Sequence, residues 1–360
     1  MKKNYFLFIL TTLFFNFSFS QEYIAVAQNT SDIVLLLDPT DGSVVDYNFI
    51  DLTSLAAATP KDILQVNDEL WISDQIADRI DIFDLSGSYI NTISSSIGLD
   101  NIRGMALVNG EVWVCNAGGS NEAPGTAIVR LNTDGTLIGS FATPNSPFDV
   151  IDTGTEAIIS FISSNSIERY DYSGNSLSTI TTSVNFPQQL QYNSSDNSIY
   201  VTGFSSPSGL YKFDVATGTQ QYYSSVVSSL RGVIELDNGE FLVSNSSGVF
   251  SLDTGSNTST SIISGSSQYF TRVDLTPLSI EEETLESFGL YPNPAKNFLN
   301  IKANVQFNKI VISNSLGQTV STLDAESNQD EIDISQLNSG IYIVTLESDT
   351  GKQVKKFIKN

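Results

Sequence analysis

Cationic side chains stand at the beginning of short apolar segments in this sequence. Between residues 21 and 277 there are only eight basic side chains, and four of them take this place: Lys61, Arg103, Arg231 and Arg272. If they converge they would bind a carboxylate or a phosphate, because the guanidinium fork matches the geometry of both groups. Alternatively, the arginines would pair with nearby aspartates and tie parts of the fold together. The pattern therefore indicates either an anion site or a set of structural ion pairs.

Carboxylate and amide oxygens form a second candidate set in the same segments. Asp62 and Asp149 lie near the segment starts, and Asp74, Asn116 and Asn245 end the apolar strands that follow. Calcium takes oxygen ligands of these two kinds, so the set would hold that cation if its members meet. The chain has no loop of Asp-x-Asp-x-Asp spacing, and the sequence requires no cofactor. The same aspartates are the candidate partners of the arginines.

Histidine is absent, and Cys115 is the only cysteine. Ser-His-Asp and Cys-His catalysis and His-ligated zinc or copper are therefore excluded. A single cysteine also forms no intramolecular disulfide. Cys115 lies in an apolar strand, which predicts a buried and inert thiol. Trp71 and Trp113 occupy matching places in neighbouring segments and are interpreted as core residues.

The overall charge disfavours two classes of partner. The chain carries 17 basic and 40 acidic residues, a formal net charge of −23. Nucleic acids and anionic membrane surfaces are poor partners for such a chain, because phosphate contacts need Lys and Arg. Apolar residues still make up 40% of the sequence, and long helical patterns are absent. This composition favours an all-β exported protein over a disordered one.

An internal repeat organises residues 21–275, and its first marker is a turn. An Asp or Asn is followed within a few residues by Gly, where the side chain caps the turn and Gly takes a positive φ. The strands before these turns alternate in polarity, as half-buried strands do. The marker occurs six times, at Asp38–Gly42, Asp84–Gly87, Asn132–Gly135, Asp171–Gly174, Asp214–Gly218 and Asp253–Gly255.

The second marker is an apolar strand, a polar turn and another apolar strand. Residues 61–74 and 103–116 match it with identical spacing, and residues 231–245 match it with one extra residue. Weaker copies begin near Phe148 and Gln188, so successive starts lie 40 to 45 residues apart. Four short strands in each such period are typical of a β-propeller blade.

The ends of the repeat predict how the ring closes. Residues 22–50 supply three strands without a first strand, and residues 272–275 supply a lone first strand. Pairing the two gives six blades and removes the exposed sheet edges of an open array. A β-sandwich is the alternative, but it leaves the period unexplained. In a six-bladed ring, Arg103 would face Arg231 across the channel, and Lys61 would face Gln188.

The second unit resembles an NHL-type repeat. It reads Trp71-Ile72-Ser73-Asp74, followed by Arg79-Ile80-Asp81-Ile82-Phe83-Asp84 and then Gly87, and other units match only in part. The resemblance implies a six-bladed NHL-like propeller.

The amino terminus predicts export. Lys2 and Lys3 precede a mostly apolar stretch up to Phe19, and Ser18-Phe19-Ser20 places small residues where a signal peptidase reads. We therefore expect a signal peptide over residues 1–20, with an uncleaved anchor as the alternative. No other stretch is long and apolar enough to cross a bilayer, so no membrane span is expected after its removal.

The last part of the chain carries an ordered set of motifs beyond a predicted acidic linker at residues 276–289. Residues 290–360 closely resemble the type A C-terminal sorting domain of the type IX secretion system of Bacteroidetes. The resemblance implies a small antiparallel Ig-like β-sandwich that directs passage across the outer membrane and is then usually cleaved. The matching residues are Tyr291, Pro292, Asn293, Pro294, Leu316, Gly317, Gly340, Ile341 and Tyr342.

Together these features predict an all-β, two-domain protein that is exported through the periplasm and then secreted or held on the outer cell surface. The resemblance implies that the type IX machinery is one partner. The propeller is interpreted as a binding or adhesion module for an anionic small molecule or glycan. The alternative is a hydrolase or lyase with an oxygen-ligated metal in the channel. That class resembles lactonases, whose Glu-Asn-Asn-Asp ligands find no matching positions here.

Overall fold

The computed structural model describes residues 22–55, 59–276, 288–314, 317–348 and 351–360. The chain divides into two compact units, Met1–Leu278 and Ser279–Asn360, which are described separately. The predicted signal peptide and most of the acidic linker lie outside the described residues, so these boundaries stay predictions. Within the described ranges, no helix has the length and apolar character to cross a membrane.

The first unit consists of antiparallel four-stranded sheets, and the described residues form six of them. Two short 3-10 turns, Thr53–Leu55 and Ser95–Ile97, interrupt the strands. The strands run in chain order as follows: β1 (Glu22–Gln28), β2 (Ile33–Leu37) and β3 (Val44–Asp51) in blade 1; β4 (Pro60–Val66), β5 (Glu69–Asp74), β6 (Arg79–Asp84) and β7 (Tyr89–Ile93) in blade 2; β8 (Ile102–Val108), β9 (Glu111–Asn116), β10 (Ala127–Leu131) and β11 (Leu137–Ala142) in blade 3; β12 (Pro147–Asp152), β13 (Ala157–Phe161), β14 (Ser166–Tyr170) and β15 (Ser176–Thr181) in blade 4; β16 (Pro187–Asn193), β17 (Ser198–Gly203), β18 (Gly209–Asp214) and β19 (Gln220–Ser224) in blade 5; β20 (Gly232–Glu235), β21 (Phe241–Ser244), β22 (Gly248–Asp253) and β23 (Thr258–Ser264) in blade 6; and β24 (Ser267–Asp274), which returns to blade 1.

The apolar core lies between neighbouring blades. The first strands of the blades contact one another in succession around the ring, from β4 through β24 and back to β4. Each of six buried clusters joins residues of two adjacent blades, as Trp71 does between blades 2 and 3 and Trp113 between blades 3 and 4. Both tryptophans and Cys115 are buried. The predicted six-bladed propeller is confirmed, and its inner strands line one axis.

The repeated Asp/Asn–Gly turns form as the sequence predicts. Asp84 accepts hydrogen bonds from the backbone N–H groups of Ser86 and Ser88, and Gly87 takes φ +82°. The last copy differs, because Asn257 rather than Gly255 takes the positive φ there. Each turn reverses the chain between the third and fourth strands of a blade and so fixes their register.

Ring closure occurs through the predicted split blade, with one correction. β24 pairs antiparallel with β1, and Val26 lies opposite Phe270. β24 begins at Ser267, so Arg272 lies near the end of its strand and not at the start where the sequence interpretation placed it. Gln268 takes the place assigned to Arg272. The misplacement arose because Ser267 to Phe270 lacks the basic residue that marks other first strands.

The second unit is a small β-sandwich built on a long bent strand. Its strands are β25 (Gly289–Tyr291), β26 (Phe298–Asn314), β27 (Thr319–Asp333), β28 (Gly340–Ser348) and β29 (Gly351–Lys359). The first half of β26 pairs with β25 and its second half with β28, while β27 pairs along both halves. A buried cluster that includes Leu299, Phe307, Val344 and Phe357 fills the interior.

The sorting motifs occupy defined places in this sandwich. Asn293 accepts a hydrogen bond from the backbone N–H of Ile358 at 2.9 Å, which ties the Tyr291–Pro294 segment to the last strand. Gly317 takes φ +78° in the turn after β26, and its neighbour Leu316 lies outside the described residues. Gly340 and Ile341 begin β28, and Tyr342 stacks on Phe357 at 5.6 Å.

Candidate functional site

Six side chains from the starts of the inner strands surround one mouth of the channel, and we call them the mouth ring. These residues occupy equivalent positions in their blades. In several blades a hydroxyl group on the second strand donates a hydrogen bond to the backbone carbonyl of the mouth-ring residue in the next blade. Ser73 donates to Arg103 O at 2.8 Å, and Ser244 donates to Gln268 O at 2.5 Å. Cys115 stands where Ser73 and Ser244 stand in their blades. The mouth ring consists of Lys61, Arg103, Phe148, Gln188, Arg231 and Gln268.

Lys61 crosses the axis and joins three blades. Its Nζ donates to Gln188 Oε1 at 2.9 Å and to Gln268 Oε1 at 3.0 Å. The ammonium also lies 4.8 Å from the centroid of the Phe148 ring and 4.2 Å from that of Tyr269. Lys61 is only 3% exposed, and within the described part of the chain no carboxylate lies within ion-pair distance of it.

Arg103 and Arg231, the other two cations of the mouth ring, are bound mainly by neutral groups. Arg103 Nη1 donates to Ser146 Oγ at 2.8 Å and to Pro147 O at 2.9 Å, and its guanidinium lies over the Phe148 ring at 4.6 Å. Arg231 Nη1 donates to Ser266 Oγ at 2.7 Å. Neither arginine forms an ion pair with a carboxylate of the described ranges, so the alternative of structural ion pairs with Asp62, Asp149 or Asp74 is not found there.

Arg272, the fourth cation predicted for this mouth, lies elsewhere. Its Nη2 donates to Asp237 Oδ1 at 2.8 Å, and its Nη1 lies 3.5 Å from Glu22 Oε2. These pairs link blades 6 and 1 away from the mouth ring. The structure thus brings Lys61, Arg103, Arg231 and Gln188 together and separates Arg272 from them.

One residue deeper, polar side chains bridge successive blades through backbone N–H groups. Asp62 Oδ2 accepts from Met105 N at 2.7 Å, and Asp149 Oδ2 accepts from Leu190 N at 2.7 Å. Gln189 Oε1 accepts from Val233 N at 2.9 Å and from Phe270 N at 3.1 Å. These bridges link the inner strands of successive blades below the mouth ring.

Glycine at the same depth makes room for one of these carboxylates. A Cβ on Gly104 would lie 2.1 Å from Asp149 Oδ1 and 2.9 Å from Asp149 Cα. The backbone of β8 therefore approaches β12 at a distance that only glycine permits.

Two buried polar atoms in the cluster have no hydrogen-bond partner among the described residues. They are Arg103 Nε and Tyr269 Oη, on side chains that are 6% and 0% exposed. Buried donors are nearly always satisfied in native proteins, so each orphan needs an explanation such as water or a bound group.

Burial perturbs the ionisation of the whole cluster. Desolvation, followed by the neighbouring Arg231 charge, holds the pKa of Lys61 well below its ordinary value. Burial raises the pKa of Asp62 to about 7 and raises that of Asp149 well above its usual range, with Asp62 adding repulsion. Burial also raises the pKa of the Tyr269 hydroxyl and of the Cys115 thiol. The Cys115 thiol is therefore protonated and unreactive at neutral pH.

The residues considered for calcium use their oxygens locally. Asp74 Oδ1 accepts from the backbone N–H groups of Thr59 and Ala77. Asn116 Oδ1 accepts from Asp100 N at 2.8 Å, and Asn245 Oδ1 accepts from Ser247 N at 2.7 Å. In the described ranges, no cluster of three or more acidic, His or Cys residues has metal-binding geometry. Asp74, Asn116 and Asn245 thus act as loop caps, and the calcium site stays an untested candidate.

An aromatic row continues from the mouth ring towards solvent. Phe186 packs edge-on against Phe148 at 5.5 Å, and Phe204 lies 5.5 Å from Phe186. Phe186 and Phe204 are both partly exposed. The two rings follow each other on blade 5, which stands between Phe148 on blade 4 and Arg231 on blade 6. We call Phe186 and Phe204 the aromatic shelf.

A cavity of about 450 Å³ opens at the opposite end of the axis. Asp62, Asp149 and Gln189 line it together with Asp152, Arg272 and apolar residues such as Met105 and Val233. The cavity is therefore of mixed polarity and differs from the cationic mouth ring.

Sequence reasoning missed Tyr269, Gln268 and the aromatic shelf. Gln268 and Tyr269 lie in the strand whose register was misplaced, and a corrected alignment with Lys61 and Asp62 would have found them. Phe148 was recognised as the start of a weaker repeat copy, but an apolar phenylalanine gave no reason to assign it to the candidate site. Nothing in the sequence around Phe186 indicated that it lies beside the cations.

Comparison with known proteins assigns the second unit. Residues 289–360 match the family model described as a secretion system C-terminal sorting domain. The second unit is such a domain, as the sequence resemblance implied. It engages the secretion machinery, and the chain is exported to the cell surface or secreted. No curated protein matches the chain.

Solved structures resemble the first unit in fold. A protein of unknown function from Bacteroides caccae matches with a TM-score of 0.52 and 10% identity, covering 71% of this chain and 99% of that one. A chain of a nidogen/laminin complex matches with a TM-score of 0.59 and 12% identity, covering 70% of this chain and 98% of that one. At these identities the likeness concerns the propeller fold alone.

Proposed function

We propose that the propeller is an exported binding module that captures an anionic small molecule or glycan at the mouth ring. Arg103 and Arg231 would contact the anion, with Lys61 beneath them. The sorting domain delivers this module to the outside of the cell. The relation to NHL-type repeats remains part of the proposal.

The supporting observation is that three cations share one mouth without carboxylate partners. In this acidic chain, the off-axis cations Arg79, Arg130, Arg169 and Lys212 each form an ion pair at 2.6 to 2.9 Å. The mouth ring differs, since its cations rely on carbonyl, hydroxyl and amide oxygens and on aromatic rings. Buried charges without an opposite charge are costly, and an anion would supply what the chain lacks.

The ionisation of Lys61 gives the proposal a pH signature. An anion near the mouth would offset the Arg231 and Arg103 charges that help to lower the pKa of Lys61. Binding would then raise that pKa and take up a proton. Over the pH range in which Lys61 loses its proton in the free protein, anion affinity should therefore weaken as the pH rises.

The test uses the mature chain and simple anions. Acetate, phosphate and glucuronate are titrated against it by calorimetry, and melting temperatures are recorded with and without each anion. We expect binding that is lost in Arg103→Gln/Arg231→Gln, whereas the matched off-axis control Arg79→Gln binds normally. If no anion binds, or if the double variant binds as the wild type does, the proposed function is wrong.

The hydrolase or lyase alternative needs an oxygen-ligated metal, and no geometry at the candidate ligands favours it. Metal analysis of the purified mature chain tests it directly.

A further inference from the structure

We propose that the aromatic shelf selects anions in which the carboxylate is attached to a sugar ring, so that the ligand is a hexuronate residue of an acidic glycan. This inference rests on the proposed anion site and adds the part of the ligand that the cations do not contact. Phe186 and Phe204 would pack against the ring face while Arg103 and Arg231 bind the carboxylate.

The distances place the two functions side by side. The Arg103 guanidinium lies 4.6 Å from the Phe148 centroid, and the Phe186 centroid lies 5.5 Å from the same ring. On the other side, the backbone carbonyl of Arg231 accepts from Thr202 at 2.9 Å, on the strand that leads directly into Phe204. A rigid ligand with an anion at one end and a ring at the other would span this interval.

The backbone of Phe186 is held in an unusual conformation. Its φ is +53°, and in the described ranges it is the only apolar residue among the non-glycine residues with positive φ. Its N–H donates to Asn165 Oδ1 at 2.9 Å, and its carbonyl accepts from Phe204 N at 3.1 Å. Bulky residues rarely take this region, and such outliers concentrate at ligand clamps. The surrounding bonds therefore fix the ring beside the mouth at a conformational cost.

The chemistry of the site fits an acidic sugar in two respects. A pyranose ring presents C–H groups on its faces, which pack on exposed aromatic rings, while its carboxylate suits a guanidinium fork. The partly exposed Phe186 and Phe204 supply the apolar surface, and the unpartnered Arg103 Nε supplies a donor.

The experiment compares small molecules that carry a carboxylate, a sugar ring, both groups, or a carboxylate on an aromatic ring. Sodium glucuronate, acetate, benzoate and glucose are titrated against the mature chain by calorimetry at one pH and low ionic strength. We expect glucuronate to bind about tenfold more tightly than acetate, the effect of one good aromatic contact, and glucose not to bind. Phe186→Leu should reduce the affinity for glucuronate to that for acetate and leave acetate binding unchanged. Tyr47→Leu, which removes an exposed aromatic ring from outer strand β3, is the control.

The outcomes separate this inference from the proposal beneath it. If acetate and glucuronate bind with equal affinity, or if Phe186→Leu leaves the ratio of the two affinities unchanged, the aromatic shelf does not contact the ligand. The proposed anion site would be unaffected by that result. If benzoate binds more tightly than glucuronate, the assignment to a sugar is wrong. If no anion binds, both proposals fail. If Phe186→Leu does not fold, Phe204→Leu tests the same contact, because Phe204 is not among the residues with positive φ.

Discussion

Replacing Gly104 with alanine should destabilise the propeller strongly, although it adds a single methyl group. The added Cβ would lie 2.1 Å from Asp149 Oδ1 and 2.9 Å from Asp149 Cα, far inside van der Waals contact. The carboxylate cannot swing away without cost, because its Oδ2 accepts the backbone N–H of Leu190 at 2.7 Å. The strands β8 and β12 must therefore move apart, and the bridge from blade 4 to blade 5 is lost as they do so.

The expected loss follows from these two costs. Overpacking a close-packed interior costs about 1 to 3 kcal/mol. A buried donor or acceptor left without its partner costs about 1 to 3 kcal/mol more. Together they lower the free energy of unfolding by about 2 to 6 kcal/mol, which for a domain of this size lowers the melting temperature by about 4 to 24 °C.

Thermal melting of the mature chain, followed by circular dichroism, measures this effect. Gly119→Ala is the matched control, because its nearest neighbour would be Gly125 Cα at 3.9 Å and its melting should not change. A double-mutant cycle with Asp149→Ala should show less than additive losses, since both changes act on one bridge. A Gly104→Ala variant that melts within about 2 °C of the wild type would refute the close approach of β8 and β12.

Three further expectations concern the whole chain. Burial raises the pKa of Asp62 to about 7 in the folded state, so the folded protein holds a proton that the unfolded chain releases. The free energy of unfolding, measured with urea, should therefore fall between about pH 4 and pH 7. Asp62→Asn should weaken this pH dependence. Residues 21–277 expressed alone should fold, with a circular dichroism spectrum and a melting transition of their own, and the two-domain division fails if this fragment is unfolded. Truncation after Asp253 removes both β23 and β24 and should abolish cooperative melting. The closure fails if that truncated chain melts normally. Metal analysis of the purified mature chain should find no stoichiometric calcium, and one bound calcium per chain would favour the hydrolase or lyase alternative.

Local sequence signals were sufficient for the architecture. The Asp/Asn–Gly turns and the alternating strands act over a few residues, so their recurrence every 40 to 45 residues revealed six blades and the split blade that closes them. The motifs after residue 289 were likewise read in order along the chain. The sequence also placed Lys61, Arg103 and Arg231 at the same point of their repeats, and the structure brings these three side chains together; their binding role stays a proposal.

The contacts of the site depended on tertiary structure. Lys61 bonds Gln188 and Gln268, which lie 127 and 207 residues away, and neither partner could be chosen before the ring was closed. The register of β24 moved Arg272 away from the mouth and brought Tyr269 to the axis, although nothing within that strand marks its start. Periodicity and short motifs are local properties of the chain, so the six blades and the sorting domain could be identified without the structure. Only the closed ring decided which buried side chains share the axis, because their charges, hydrogen bonds and packing arise between blades distant in sequence.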